Sequence, residues 1–180
     1  KSDVSPTNIT GYSASGSGVV LLADQINISG NIFGRASSSG YGVSLGGGNN
    51  TLAGTVIGSS ASGYGVYYAS GNNTIFANVT GVTCSTLATS AGIAYAGGTN
   101  NISGNATGSA VSGSGVIYAA GDNVVYGNTT GISTSGVGVL FAGGNNSLYS
   151  NVIGSSNSSA GVLFTGGNNS IAGSMVLGSS

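Results

Sequence analysis

Histidine, glutamate and tryptophan are absent from the 180 residues, and proline, cysteine and methionine occur once each. Charge is scarce as well: two Lys or Arg stand against three Asp, for a net charge of −1. Each absence excludes something. Without His or Glu, general acid–base work falls to Asp3, Asp24 and Asp122 alone. Arg35 is the only basic residue beyond Lys1, so no basic surface is expected for a nucleic acid. The chain carries no apolar run of membrane-spanning length, and no membrane span is expected. A single Cys allows no internal disulfide. No cofactor, no metal site and no enzymatic activity are expected from this composition.

What is present is glycine, 36 residues of it, and a repeat. A Gly followed by Val or Ile falls at Gly18, Gly42, Gly65, Gly92, Gly115, Gly138 and Gly161, giving steps of 24, 23, 27, 23, 23 and 23. The long step is a four-residue insertion around Cys84, spanning 82–91, with the frame intact on both sides. A period in this range points to a stacked repeat architecture. Low-complexity disorder is excluded by the periodic Val, Ile, Leu and Tyr within a 39% apolar content.

Each unit holds three short runs in which apolar residues alternate with small or polar ones, a strand pattern. The first run places Val139 and Phe141 on one face, as it does Val116 and Tyr118. The second contributes one aliphatic per unit, Ile28, Leu52, Ile75, Ile102, Val125, Leu148 and Ile171. The third aligns Ile9, Ile32, Val56, Val79, Ala106, Thr129 and Val152. A unit of about 23 residues cannot bury its own apolar face. The expected fold is therefore all-β, a right-handed parallel β-helix (β-solenoid) of about seven coils with three strands per coil. It forms one domain over 1–180, with 1–7 as an irregular lead-in, and a length of about 34 Å at ~4.8 Å per coil.

The coil frame disposes of several motifs. Asp24 and Asp122 lie four coils apart, ~19 Å, too far to form a glycosidase carboxylate pair. The runs Gly16-Ser17-Gly18, Gly40-Tyr41-Gly42 and Gly63-Tyr64-Gly65 recur with the coil and precede a strand, unlike a phosphate loop. Cys84 reads either as a small buried hydrophobe or, given its place in the insertion, as a free thiol or intermolecular disulfide.

Asparagine is the informative polar residue. Asn50, Asn73, Asn100, Asn123, Asn146 and Asn169 share one repeat position before the second strand, where an internal Asn ladder is expected. Asn8, Asn78, Asn105 and Asn128 open the third strand, each followed by x-Thr with Asn and Thr turned outward. These are candidate N-glycosylation sites. Further sequons at Asn27, Asn49, Asn72, Asn101, Asn145, Asn157 and Asn168 bring the total to eleven. On the first strand, alternation turns Val20, Tyr67, Ile117, Leu140 and Leu163 outward, with Ser44 and Ala94 between them. Such an apolar stripe is expected to be an interaction surface. With so little charge and a positive mean hydropathy, the rod is expected to be covered by glycans, to associate, or both.

The chain starts without Met and reads as a processed or excerpted segment, and neither end shows a charged or helical cap. Head-to-tail self-association through open coil ends is therefore expected. The recurring Gly-Val-x-(Tyr/Phe)-Ala-Gly-Gly-Asn-Asn-(Ser/Thr)-(Ile/Leu)-x-Gly-Asn-Val-x-Gly resembles the parallel β-helix repeat proteins of cell surfaces and extracellular fibres, among them adhesin passenger domains and filament-forming solenoids. The β-helix polysaccharide lyases and hydrolases share the architecture but need acidic clusters with Lys or Arg, which this chain lacks. The resemblance implies a structural or adhesive role at the cell surface or outside it. Three readings follow: a fibre subunit, a repeat segment of a larger surface adhesin, and an ice-binding solenoid. The last would need an unbroken Thr array, and the outward column Thr10, Phe33, Ile57, Thr80, Thr107, Thr130, Ile153 is interrupted.

Overall fold

A computed structural model describes residues 2–4, 8–173 and 176–179. Among them every strand pairing is parallel and runs between equivalent positions of successive coils, so the chain is an all-β parallel solenoid of about seven turns. The first strands, from Val19–Leu21 through Val66–Tyr68 and Ser114–Tyr118 to Val162–Phe164, form one seven-stranded sheet. Second and third strands form the other sheet, and in two early coils they run together as Ile26–Ala36 and Thr51–Ser60. In later coils the same stretch is split, as in Asn101–Ile102 and Ala106–Ala110.

Register places like on like. Val43 pairs with Val66, Val66 with Ile93, and Val116 with Val139. The neighbouring inward column stacks Tyr68, Tyr95, Tyr118, Phe141 and Phe164 with centroids 4.7 to 5.0 Å apart. This offset stacking repeats at the strand spacing, and each buried ring removes a large apolar area from water. The second-strand aliphatics Leu52, Ile75, Ile102, Val125 and Leu148 close the core on the facing side.

The third side of the coil is set by glycine alone. Gly34, Gly58, Gly81, Gly108, Gly131 and Gly154, in the middle of the third strands, each lie against the carbonyl of the Gly that opens the following first strand. A Cβ at any of them would sit well inside bonding-excluded distance of that carbonyl. Two sheets thus meet backbone to backbone along one edge of the cross-section, while the Tyr and Phe column holds them apart at the other. The third turn is then locked by a hydroxyl: Ser60, Thr83 and Ser133 donate to the carbonyls of Gly40, Gly63 and Gly113 at 2.7 Å. The four-residue insertion follows Thr83 and leaves this bond in place, which is why the coil frame survives it.

The stacked phenols are not equivalent. Tyr118 shares a 2.9 Å hydrogen bond with Thr129 of its own coil, which explains a Thr in an otherwise apolar inward column. Tyr68 and Tyr95 face Val79 and Ala106 at that position, and their buried hydroxyls have no partner among the described residues. Burial pushes all three phenols above the usual value, with Tyr95 raised further by its two neighbours and Tyr118 partly relieved by Thr129.

Two outcomes follow from this packing. Gly108→Ala should cost about 3 kcal/mol, the upper end of overpacking losses. Gly167→Ala, at a position with nothing within 4 Å, should change stability by under ~1 kcal/mol. Urea unfolding of the two variants compares them directly, and equal losses would contradict the seam. The second outcome concerns pH. Unfolded phenols ionise near pH ~10, whereas the buried ones stay neutral. Their stabilisation is therefore whole below about pH 10 and is lost as the pH climbs through the folded values. Alkaline titration by circular dichroism should show cooperative unfolding in that window, and combining Tyr68→Phe with Tyr95→Phe should move the midpoint upward. An unmoved midpoint would rule the buried phenols out as its cause.

Candidate glycan-bearing and interaction surfaces

The strand-opening Asn residues of the third strand all reach the surface. Asn8, Asn78, Asn105 and Asn128 are exposed, and their sequon threonines share the same outward face, since each strand alternates exposed and buried residues. They also form a ladder of their own, which the sequence reading did not assign to them. The Asn78 Oδ1 accepts the Asn105 backbone N–H at 3.0 Å, Asn105 accepts that of Asn128 at 2.9 Å, and Asn128 accepts that of Asn151 at 3.2 Å. At the first rung Asn31 donates its side-chain amide to Asn8 at 3.1 Å. The carbonyl oxygen is thus committed to the neighbouring coil at Asn78, Asn105 and Asn128. At these three residues the amide nitrogen, the atom that carries an N-linked sugar, makes no bond in the ladder.

The interior column differs in being closed on itself. Asn50, Asn73, Asn100, Asn123 and Asn146 are buried. Each Oδ1 accepts the backbone N–H one coil earlier, beginning with Ile26 to Asn50 at 2.9 Å and ending with Asn146 to Asn169 at 3.0 Å. Each Nδ2 donates back to the turn three residues earlier, for example Asn123 to the Ala120 carbonyl at 2.9 Å. From Asn73 onward it also donates to the next Asn, at 2.9 to 3.0 Å. From Asn73 to Asn146 both N–H donors and the carbonyl oxygen of the amide are thus in use.

The residue before each ladder Asn, and before Ile26 at the same position of the first coil, has a left-handed backbone. Gln25, Asn49, Asn72, Thr99, Asp122, Asn145 and Asn168 all lie at φ between 56° and 60°. Asn is one of the few residues that enter this region readily, so the sequons at Asn49, Asn72, Asn145 and Asn168 have a backbone reason to exist. Thr99, a β-branched residue, adopts the same shape, which shows that the column imposes it. Those four side chains are exposed, as are Asn101 and Asn157, while Asn27 is half-buried and donates to Asp3 at 2.6 Å.

On the first-strand face the apolar stripe is shallower than alternation alone implies. Val20 and Leu163 are exposed, but Tyr67, Ile117 and Leu140 are half-buried. Ser44 and Ala94 are covered, at 7% and 2% exposure, because larger neighbours one coil away close over them. Tyr67 packs with Tyr64 and Tyr41, at 4.9 and 4.8 Å between centroids. Cys84 is exposed and free, which corrects the reading of it as a buried hydrophobe: the insertion buries Ser85 and Ser90 instead and turns Cys84 and Leu87 outward. The outward third-strand column keeps Thr in only three successive coils, Thr80, Thr107 and Thr130, before Ile153.

The acidic residues serve local structure. Asp24 accepts the Gly48 N–H at 2.7 Å, Asp3 accepts from Asn27, and Asp122 occupies the left-handed column. Among the described residues no three His, Cys, Asp or Glu side chains gather where they could hold a metal. Among the described residues no helix is long and apolar enough to cross a membrane. Arg35 lies 6.0 Å from the Tyr12 ring centroid, beside a shallow groove of about 270 Å³ bounded by Phe33 and Ile57.

Comparison with known proteins leaves the chain on its own: no family model, no curated protein and no solved structure matches it.

The two Asn columns make opposite demands, and mutation separates them. Asn123→Ala strands the Asn100 N–H and amide together with the Ala120 carbonyl. At 1–3 kcal/mol for an orphaned buried group, it should cost about 3 kcal/mol or more. Asn128→Ala removes one exposed bond and should cost under ~1 kcal/mol. Chemical denaturation of the two variants in unglycosylated protein measures the difference, and similar losses would mean that the inner ladder is not the stronger one.

Proposed function

We propose that the chain is a structural segment of an extracellular or cell-surface fibre, glycosylated on its surface and extended head to tail by further coils. The observation that carries this reading is the direction of the inner Asn ladder. Each side chain accepts the backbone N–H of the coil before it, without a break from Ile26 to Asn169. A further coil, of this polypeptide or of a second copy, continues the ladder only when it is added in the same sense. Such a contact is heterologous, and it yields an open filament when the rotation does not close a ring.

Other features support the same role. A net charge of −1 offers little electrostatic resistance to association. The stripe of Val20, Tyr67, Ile117, Leu140 and Leu163 provides apolar surface for lateral contact between rods, and sequon amides at the surface suit a secreted, glycan-bearing chain. The three Asp residues all serve turns or strand pairing, which fits a mechanical role better than a catalytic one.

Sedimentation over a range of protein concentrations, with negative-stain microscopy, tests the proposal. The chain should form rods longer than the ~34 Å of seven coils, and appending a charged helix after Ser180 should shorten them. A monodisperse monomer at every concentration would overturn self-assembly and favour a repeat segment of a larger adhesin.

A further inference from the structure

Two of the exposed sequons have an aromatic ring built in beside them. Phe76 precedes Asn78 by two residues and Tyr126 precedes Asn128 by two: each ring directly follows the second strand, and its acceptor Asn stands at the opening of the third, with one buried residue, Ala77 or Gly127, at the bend between them. Both rings are large surface groups, at 57% and 53% exposure. The core does not account for a ring at this position, which is Ala53 and Ser103 in two other coils and Tyr149, stacked on Tyr126, in a third.

The rung between them is open. Backbone bonds from Phe76 to Leu52, from Ser103 to Ile75 and from Tyr126 to Ile102 place Phe76, Ser103 and Tyr126 on three successive rungs of one column. Tyr126 stacks on Tyr149 at 5.2 Å with planes 14° apart, so its ring faces point along the rod and one of them is already covered. The other face looks onto the Ser103 rung. Phe76 has small neighbours on both sides. The two rings are separated by two strand spacings, ~9.6 Å, which leaves room for a sugar ring above Ser103.

We infer that Phe76 and Tyr126 are docking platforms for the first sugar of N-linked glycans on Asn78 and Asn128. This rests on the glycosylation part of the proposed function and narrows it to two of eleven sequons. The ladder bond through Oδ1 fixes each Asn side chain, the free Nδ2 carries the sugar, and the apolar face of the pyranose lies back on the aromatic ring two residues earlier. Asn105 has the same ladder and the same Thr but Ser103 in place of a ring, which makes it the internal control. Tyr149 is the converse case: Asn151 follows it at the right spacing, but Ile153 replaces the required Ser or Thr.

The test uses the full chain secreted from a eukaryotic host that glycosylates, with an endoglycosidase trimming each glycan to one N-acetylglucosamine. The same chain from a bacterial host is the bare reference. Glycopeptide mapping should find Asn78 and Asn128 occupied. Phe76→Ser and Tyr126→Ser should lower Tm by about 2–4 °C more in the trimmed glycoprotein than in the bare chain. Proton spectra of the trimmed wild type should show first-sugar resonances moved upfield by ring current, a readout that does not depend on either variant folding. Equal Tm losses with unshifted sugar resonances would overturn the inference and leave decoration intact. So would bare Asn78 and Asn128 beside an occupied Asn105. Bare asparagines at all of Asn8, Asn78, Asn105 and Asn128 would overturn both.

Discussion

The close approach of two backbones along the glycine seam is the constraint on which the rest of this solenoid depends. Where Gly108 meets Gly115, and equivalently in other coils, no side chain separates the third strand from the next first strand. The cross-section is therefore wedge-shaped, thin at the seam and thick where Tyr118 and Phe141 stack. That wedge fixes which positions must be large and which must have no side chain at all. It also fixes register, because a slip of one residue would bring a side chain to the seam and Ile117 or Ala119 to the place of Tyr118.

Given the wedge, each turn has a different polar lock. The first turn uses a left-handed residue followed by a buried Asn, the third a Ser or Thr hydroxyl on a Gly carbonyl. Both locks act within a coil and between coils at once, since Asn123 holds its own turn through Ala120 and reaches Asn146 and Asn100 on either side. Local turn geometry and stacking are thus satisfied by the same atoms. A chain with almost no charge has no other strong polar device available, and the amide column takes the place that ion pairs and caps hold elsewhere.

Much of this was legible in the sequence because a stacked repeat displays each structural position several times. A single Asn before a strand says little; six of them at one repeat position imply a column. The inward apolar columns were readable for the same reason. What stayed hidden was whatever depends on neighbours across the coil. The seam glycines look like turn glycines until the opposing backbone is in place. Thr129 looks like an irregularity until Tyr118 is found across the core. Ser44 and Ala94 read as exposed by alternation, but coverage comes from Tyr67 and Ile117 on adjacent rungs, which no single-strand pattern contains. Cys84 was ambiguous because an insertion lies outside the repeat, where periodicity carries no information.

The same logic bears on how the sequons are weighed. An Asn-Asn-Ser/Thr run meets three structural needs in order: a left-handed residue, a buried ladder amide and a strand opener. At Asn49, Asn72, Asn145 and Asn168 the acceptor motif therefore follows from folding alone, and repetition multiplies it without selection for sugar. The third-strand set has a weaker structural reason, since its ladder bonds lie in solvent, where Asn is replaceable, as Thr55 at the same position shows. A motif kept where folding needs it least says more about function than one kept where folding requires it. The aromatics beside Asn78 and Asn128 carry that argument one step further, because both rings lie outside the core: Phe76 has only Ala53 and Ser103 on the adjacent rungs, and the stack of Tyr126 on Tyr149 leaves its other face open.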